Sequence, residues 1–170
     1  MKILYPWLLL LTLMGCASKP PIVEPVSDFA LEPYLGKWYE MARLDHSFER
    51  GLSQVTATYS LRDDGGVRVT NKGYKASKGR WSQAEGKAYF AGEDDVGHLK
   101  VSFFGPFYGA YVIFELDKDY QYAFVAGPNT KYLWLLSRTT DISPELQAQF
   151  VQAAKANGFD TDSLIWVEHP

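Results

Sequence analysis

From Gly36 to Arg138 the sequence repeats one device, a short run of alternating apolar and polar residues closed by a turn signal. The runs are GKWYEMARL (36–44), SQVTATYSL (53–61), GVRVTNKGY (66–74), GKAYFAG (86–92), HLKVSFFG (98–105), YGAYVIFELD (108–117), YQYAFVAG (120–127) and KYLWLLSR (131–138). Alternation with period two sends successive side chains to opposite faces, which is the signature of a strand with one wet face and one dry face. The second run ends in RDDGG, a strong hairpin turn, and no helical segment separates one run from the next. Such a chain folds as an antiparallel meander. Eight strands of this kind close into a barrel that encloses one small ligand.

One segment breaks the pattern. Ser143 stands as an N-cap before Pro144, and ELQAQFVQAAKANG places Leu146, Phe150, Ala153 and Ala154 on one stripe before Gly158 ends the run. SLIWVEH (163–169) then reads as a short final strand. The expected fold is therefore all-β: an eight-stranded antiparallel up-and-down barrel with one C-terminal α-helix and a short last strand. A chain of 170 residues, 46% apolar and 22% charged, suits one core. Its net charge of −3, with cations scattered among acids, supplies no stripe for nucleic acid.

Parity assigns the lumen. If Trp38 points inward, so do Glu40 and Ala42; if Arg138 does, so do Leu136, Trp134 and Tyr132. The apolar phases of the other strands add Val55, Ala57 and Tyr59; Val67, Val69 and Asn71; Ala88 and Phe90; Leu99, Val101 and Phe103; and Tyr108, Ala110, Val112, Phe114 and Leu116. In the seventh run the two phases compete, as they would if the helix covered one face. The candidate ligand contacts are Tyr59, Asn71, Phe90, Val101, Phe103, Tyr108, Val112, Phe114, Tyr132 and Trp134. A solidly packed barrel would show the same apolar phases. Rim residues such as Phe107 and Tyr108 could meet a membrane or a second copy of the chain, as in a homodimer, and parity does not separate these.

Catalytic patterns are missing. His46, His98 and His169 are far apart, with no i, i+4 pair and no cysteine to complete a metal site. There is no G-x-S-x-G elbow and no Gly-rich phosphate loop, and Asp63-Asp64 and Asp94-Asp95 sit beside turn glycines. No catalytic residue, metal or cofactor is expected.

The N-terminus has a separate task. Met1-Lys2, the apolar run Ile3 to Leu13 and the small residues before Cys16 have the layout of a secretory signal, too short to span a bilayer. Leu13-Met14-Gly15-Cys16 resembles a bacterial lipobox. The resemblance implies removal of residues 1–15, lipidation of Cys16 and, with Ala17 rather than Asp next, export to the periplasmic side of the outer membrane. Residues 16–27, rich in proline and without periodicity, read as an extended tether. The folded domain is expected over 28–170.

Four short stretches carry a family resemblance. Gly36-Lys37-Trp38-Tyr39, Phe48-Glu49-Arg50-Gly51, Asp117-Lys118-Asp119-Tyr120 and Leu133-Trp134-Leu135-Leu136-Ser137-Arg138 are similar, in order and position, to motifs of the lipocalins. The resemblance implies that Trp38 closes one end of the barrel with Arg138 stacked on it. It further implies a fatty acid or a lysophospholipid as the ligand. Some lipocalins are enzymes with a cysteine in the calyx, whereas the only cysteine here is the lipidation site. A lipid-modifying enzyme, or an envelope scaffold with a packed barrel, would be the alternatives to a lipid binder.

Overall fold

The strands form where the alternation predicts them. In a computed structural model, which describes residues 20–170, a one-turn helix α1 (Leu31–Tyr34) leads into β1 (Gly36–Arg43). There follow β2 (Leu52–Leu61), β3 (Val67–Lys75), β4 (Arg80–Phe90), β5 (His98–Ser102), β6 (Gly109–Leu116), β7 (Tyr122–Ala126) and β8 (Leu133–Ser137). Helix α2 (Pro144–Ala156) and the short β9 (Ile165–Trp166) complete the chain. Each strand pairs with its sequence neighbour, β8 returns to β1, and β1 also pairs with β2. The eight-stranded sheet is thereby closed, and β9 adds to β1 on the outside.

Two features escaped the alternation. Helix α1 is too short to show a period. Strand β4 starts at Arg80 rather than near 86, because Arg80 to Glu85 pair with Lys75 to Thr70 while staying exposed on both faces. With no dry side, that stretch has no alternation to read.

The apolar residues divide into two layers. One fills the barrel around Trp38, Val69, Leu99 and Leu136; the other lies between the barrel wall and α2. Ser143 caps α2 by accepting from the Leu146 amide at 3.2 Å, and the buried Phe150 ring meets Phe124 edge-on at 5.0 Å. Because α2 covers β6, β7 and β8, both faces of those strands are dry, and alternation no longer reports which face is the lumen.

That ambiguity reverses part of one strand. Leu99 stands opposite Tyr111 and Val101 opposite Gly109, so Gly109, Tyr111 and Ile113 carry the lumen phase in the first part of β6, while the bulge between Ile113 and Glu115 returns Leu116 to the barrel interior, as expected, and Ala110 lines the cavity at its edge. Val112 and Phe114, expected inside, pack in the layer under α2. Tyr108, also expected inside, is on the outer surface, with Lys87 and Lys100 Nζ about 6 Å from its ring. A bulge in β1 between Glu40 and Ala42 likewise turns Ala42 out and puts Arg43 opposite Trp134.

The tether region is partly docked. Val23 is buried, Val26 N donates to Ile113 O at 2.9 Å, and Phe29 N donates to Asp95 O at 2.8 Å. The leader and Cys16 lie outside the described residues.

Candidate functional site

One end of the barrel is sealed by a stack. The Arg138 guanidinium lies 3.8 Å from the centroid of the buried Trp38 ring. Its nitrogens donate to Lys37 O at 2.8 Å, Pro33 O at 2.7 Å, Leu35 O at 3.0 Å and Tyr120 O at 3.2 Å. The planar fork thus ties together carbonyls of α1 and its exit, of β1 and of the β6–β7 turn, while its face covers the indole. Trp38 Nε1 donates to Tyr34 O at 2.8 Å. Gly36 makes the turn into β1 at φ +93°, a conformation that glycine adopts without strain.

Above this seal, three phenols form a chain. The Tyr111 hydroxyl lies 2.6 Å from that of Tyr34 and 2.8 Å from that of Tyr59. Burial pushes all three pKa values up, so the floor of the lumen is neutral but able to hydrogen-bond.

The lumen itself is an open cavity of about 260 Å³ with walls from β1 to β8 and from α1. Of the expected contacts, Tyr59, Asn71, Val101, Phe103, Tyr132 and Trp134 line it. Phe90 has the lumen phase but packs at the sealed end, 6.1 Å from the Phe29 ring. Tyr108, Val112 and Phe114 do not line the cavity, for the reason found in β6. The Asn71 Oδ1 acceptor is buried without a hydrogen-bond partner.

A polar knot on the wall was missed. Arg43, almost fully buried, donates to Glu40 Oε1 at 2.7 Å, Glu49 O at 3.2 Å and Leu52 O at 3.1 Å. Glu49 Oε2 accepts from Trp134 Nε1 at 3.1 Å. His46 Nε2 lies 2.9 Å from the same oxygen but off the axis of a hydrogen bond, with its ring stacked on Phe48 at 3.9 Å. Burial, together with the Glu49 carboxylate, pushes the Glu40 pKa well above the usual carboxylate range, and Arg43 only partly offsets it. Phe48-Glu49-Arg50-Gly51 had marked this loop, but the bulge that turns Arg43 inward leaves no trace in the alternation.

Residues 29–169 match the pattern of the lipocalin-like domain family. The chain belongs to the lipocalin family. The lipocalin is 62% identical over 157 residues to the outer membrane lipoprotein Blc of Vibrio cholerae, covering 92% of each chain. It is 54% identical to the protein of the same name from Escherichia coli, covering 92% of this chain and 90% of that one. These relatives place it among the lipid-anchored proteins of the bacterial outer membrane. Insecticyanin from Manduca sexta shares the fold, with a TM-score of 0.70 over 87% of this chain and 85% of that one at 21% identity.

Proposed function

We propose that the protein is an outer-membrane lipid binder that takes the acyl chain of a fatty acid or a lysophospholipid into the barrel, for storage, scavenging or transport in the envelope. The observation that carries this reading is the shape of the lumen: apolar walls, sealed at one end and open at the other, with a few polar groups. A solidly packed scaffold would have no such cavity.

The energetics fit a single-chain lipid. Burying about ten methylenes at roughly 0.8 kcal/mol each contributes about 8 kcal/mol gross. Where head-group contacts offset the association cost, a dissociation constant near micromolar is expected. The Asn71 acceptor and the Glu49 carboxylate are among the polar groups of the lining, and as acceptors they suit a donor such as the ammonium or hydroxyl of a lysophospholipid head group.

Binding fits the lumen better than catalysis does. The residues that line it include carboxylates, phenols and an amide but no serine, cysteine or lysine nucleophile. The test is to extract and weigh lipids from the purified protein, then to titrate the delipidated chain with palmitate and with lysophosphatidylethanolamine while following tryptophan emission, since Trp134 lines the cavity. A saturable change with a one-to-one endpoint is expected. If no lipid is recovered and neither titration saturates, the reading is wrong.

A further inference from the structure

The phenols at the floor of the lumen hold one more proton than they can share. Tyr34, Tyr59 and Tyr111 all line the cavity, and each hydroxyl carries one proton. Two contacts join them, Tyr34 to Tyr111 at 2.6 Å and Tyr59 to Tyr111 at 2.8 Å, and no other group among the described residues bonds their oxygens. Whichever way the two hydrogen bonds run, one of the three O–H groups is left over. Burial holds the protons on the phenols. A buried donor without an acceptor is costly, so the floor favours a ligand that brings an acceptor to it.

The charge of the lining limits what that acceptor can be. Glu40 and Glu49 are the only charged side chains that line the cavity, and the lining includes no lysine, arginine or histidine. Their field reaches Tyr59, where it adds to the upward push on the phenol. Arg138 is engaged with the Trp38 ring and four carbonyls, and Arg43 with Glu40 and two carbonyls. A carboxylate or phosphate at the floor would therefore meet like charge with no lining cation to offset its desolvation. A neutral oxygen accepts the phenol proton without that cost.

Depth fixes where the oxygen sits on the ligand. Asn71, with its unpartnered Oδ1, stands opposite Ala57, and Tyr59 stands opposite Val69 and Gly36 toward the sealed end. Val69 is two residues from Asn71 along β3, a step of about 7 Å. An oxygen beside the head group stays at the level of Asn71, whereas one carried along the acyl chain reaches the phenols. We propose that the floor is a second polar subsite of the lumen that takes an uncharged oxygen borne on the acyl chain away from its head, which makes the ligand a hydroxylated or keto single-chain lipid. The inference rests on the reading of the lumen as a lipid site and adds to it a group that an unsubstituted chain lacks.

The test titrates the delipidated chain with palmitate, 2-hydroxypalmitate and 16-hydroxypalmitate, and with stearate and 12-hydroxystearate, following tryptophan emission. A hydroxyl buried without a partner would weaken binding about fivefold or more relative to the parent acid. The 12- or the 16-hydroxy acid is expected to bind at least as tightly as its parent. Tyr59→Phe with Tyr111→Phe keeps both rings and removes two of the three hydroxyls. In that variant the parent acid should keep its affinity and the favoured hydroxy acid should fall about fivefold, while 2-hydroxypalmitate keeps its ratio to palmitate. Circular dichroism checks the fold, and a ratio of two ligands on one sample does not depend on the fraction folded. The native comparison needs no variant: if both chain-hydroxylated acids bind fivefold weaker than their parents, the floor subsite is overturned and lipid binding stands. A ratio that the double substitution leaves unmoved overturns it as well. If none of the five acids saturates, the lipid-binding reading fails and the subsite with it.

Discussion

Arg138 shows how much one side chain can hold. Its face covers Trp38 at 3.8 Å and its edge satisfies four carbonyls, a combination that an ammonium cannot reproduce. Arg138→Lys should cost about 2 kcal/mol of stability, seen as a lower urea midpoint with an unchanged slope. Glu40 offers a test with a pH axis. Its folded-state pKa is raised by burial and by Glu49, so the native state holds a proton that the unfolded chain loses as pH rises through the usual carboxylate range. Stability supplied by that proton is present at low pH and lost as pH climbs toward the raised native value. Glu40→Gln keeps an acceptor for Arg43 and removes the titration. Urea melts across pH should therefore show the variant gaining on the native protein with rising pH; parallel profiles would argue against a protonated Glu40.

Among the elements, α2 decides what the strand pattern can report. Where the sheet has one wet face, as in β2 and β3, alternation assigned Val55, Ala57, Tyr59, Val67, Val69 and Asn71 to the lumen, and the structure places them there. Where α2 dries the outer face, both phases are apolar, and β6 takes the opposite phase up to its bulge, beyond which Leu116 is inside as expected. The expected contacts Val112 and Phe114 are in fact part of the helix seat. That seat is strong enough to test. Phe150→Ala removes a fully buried ring at its centre and should cost about 3–5 kcal/mol, measured by thermal or urea unfolding. Because the ring is on the far side of the wall from the lumen, the variant that remains folded should bind lipid with the affinity of the native protein.

For the molecule as a whole, anchor and calyx are separate devices. The lumen is lined by residues from Leu31 onward, and Cys16 stands fifteen positions before the first of them in the sequence. Cys16→Ser should release the protein from membranes in a fractionation experiment while the released protein still gives a saturable lipid titration. Loss of binding on release would mean that membrane and lumen work together in holding the ligand.

The class of fold, the helix and its cap could be read from residue order, because period, turn chemistry and capping are local properties; the pairing of Trp38 with Arg138 followed only from the resemblance of their motifs to those of the lipocalins. The phase of β6, the inward turn of Arg43 and the knot around Glu49 could not. They depend on which strand faces which, on a one-residue bulge and on a helix laid across the wall, and such non-local contacts leave the local alternation unchanged while reversing its meaning.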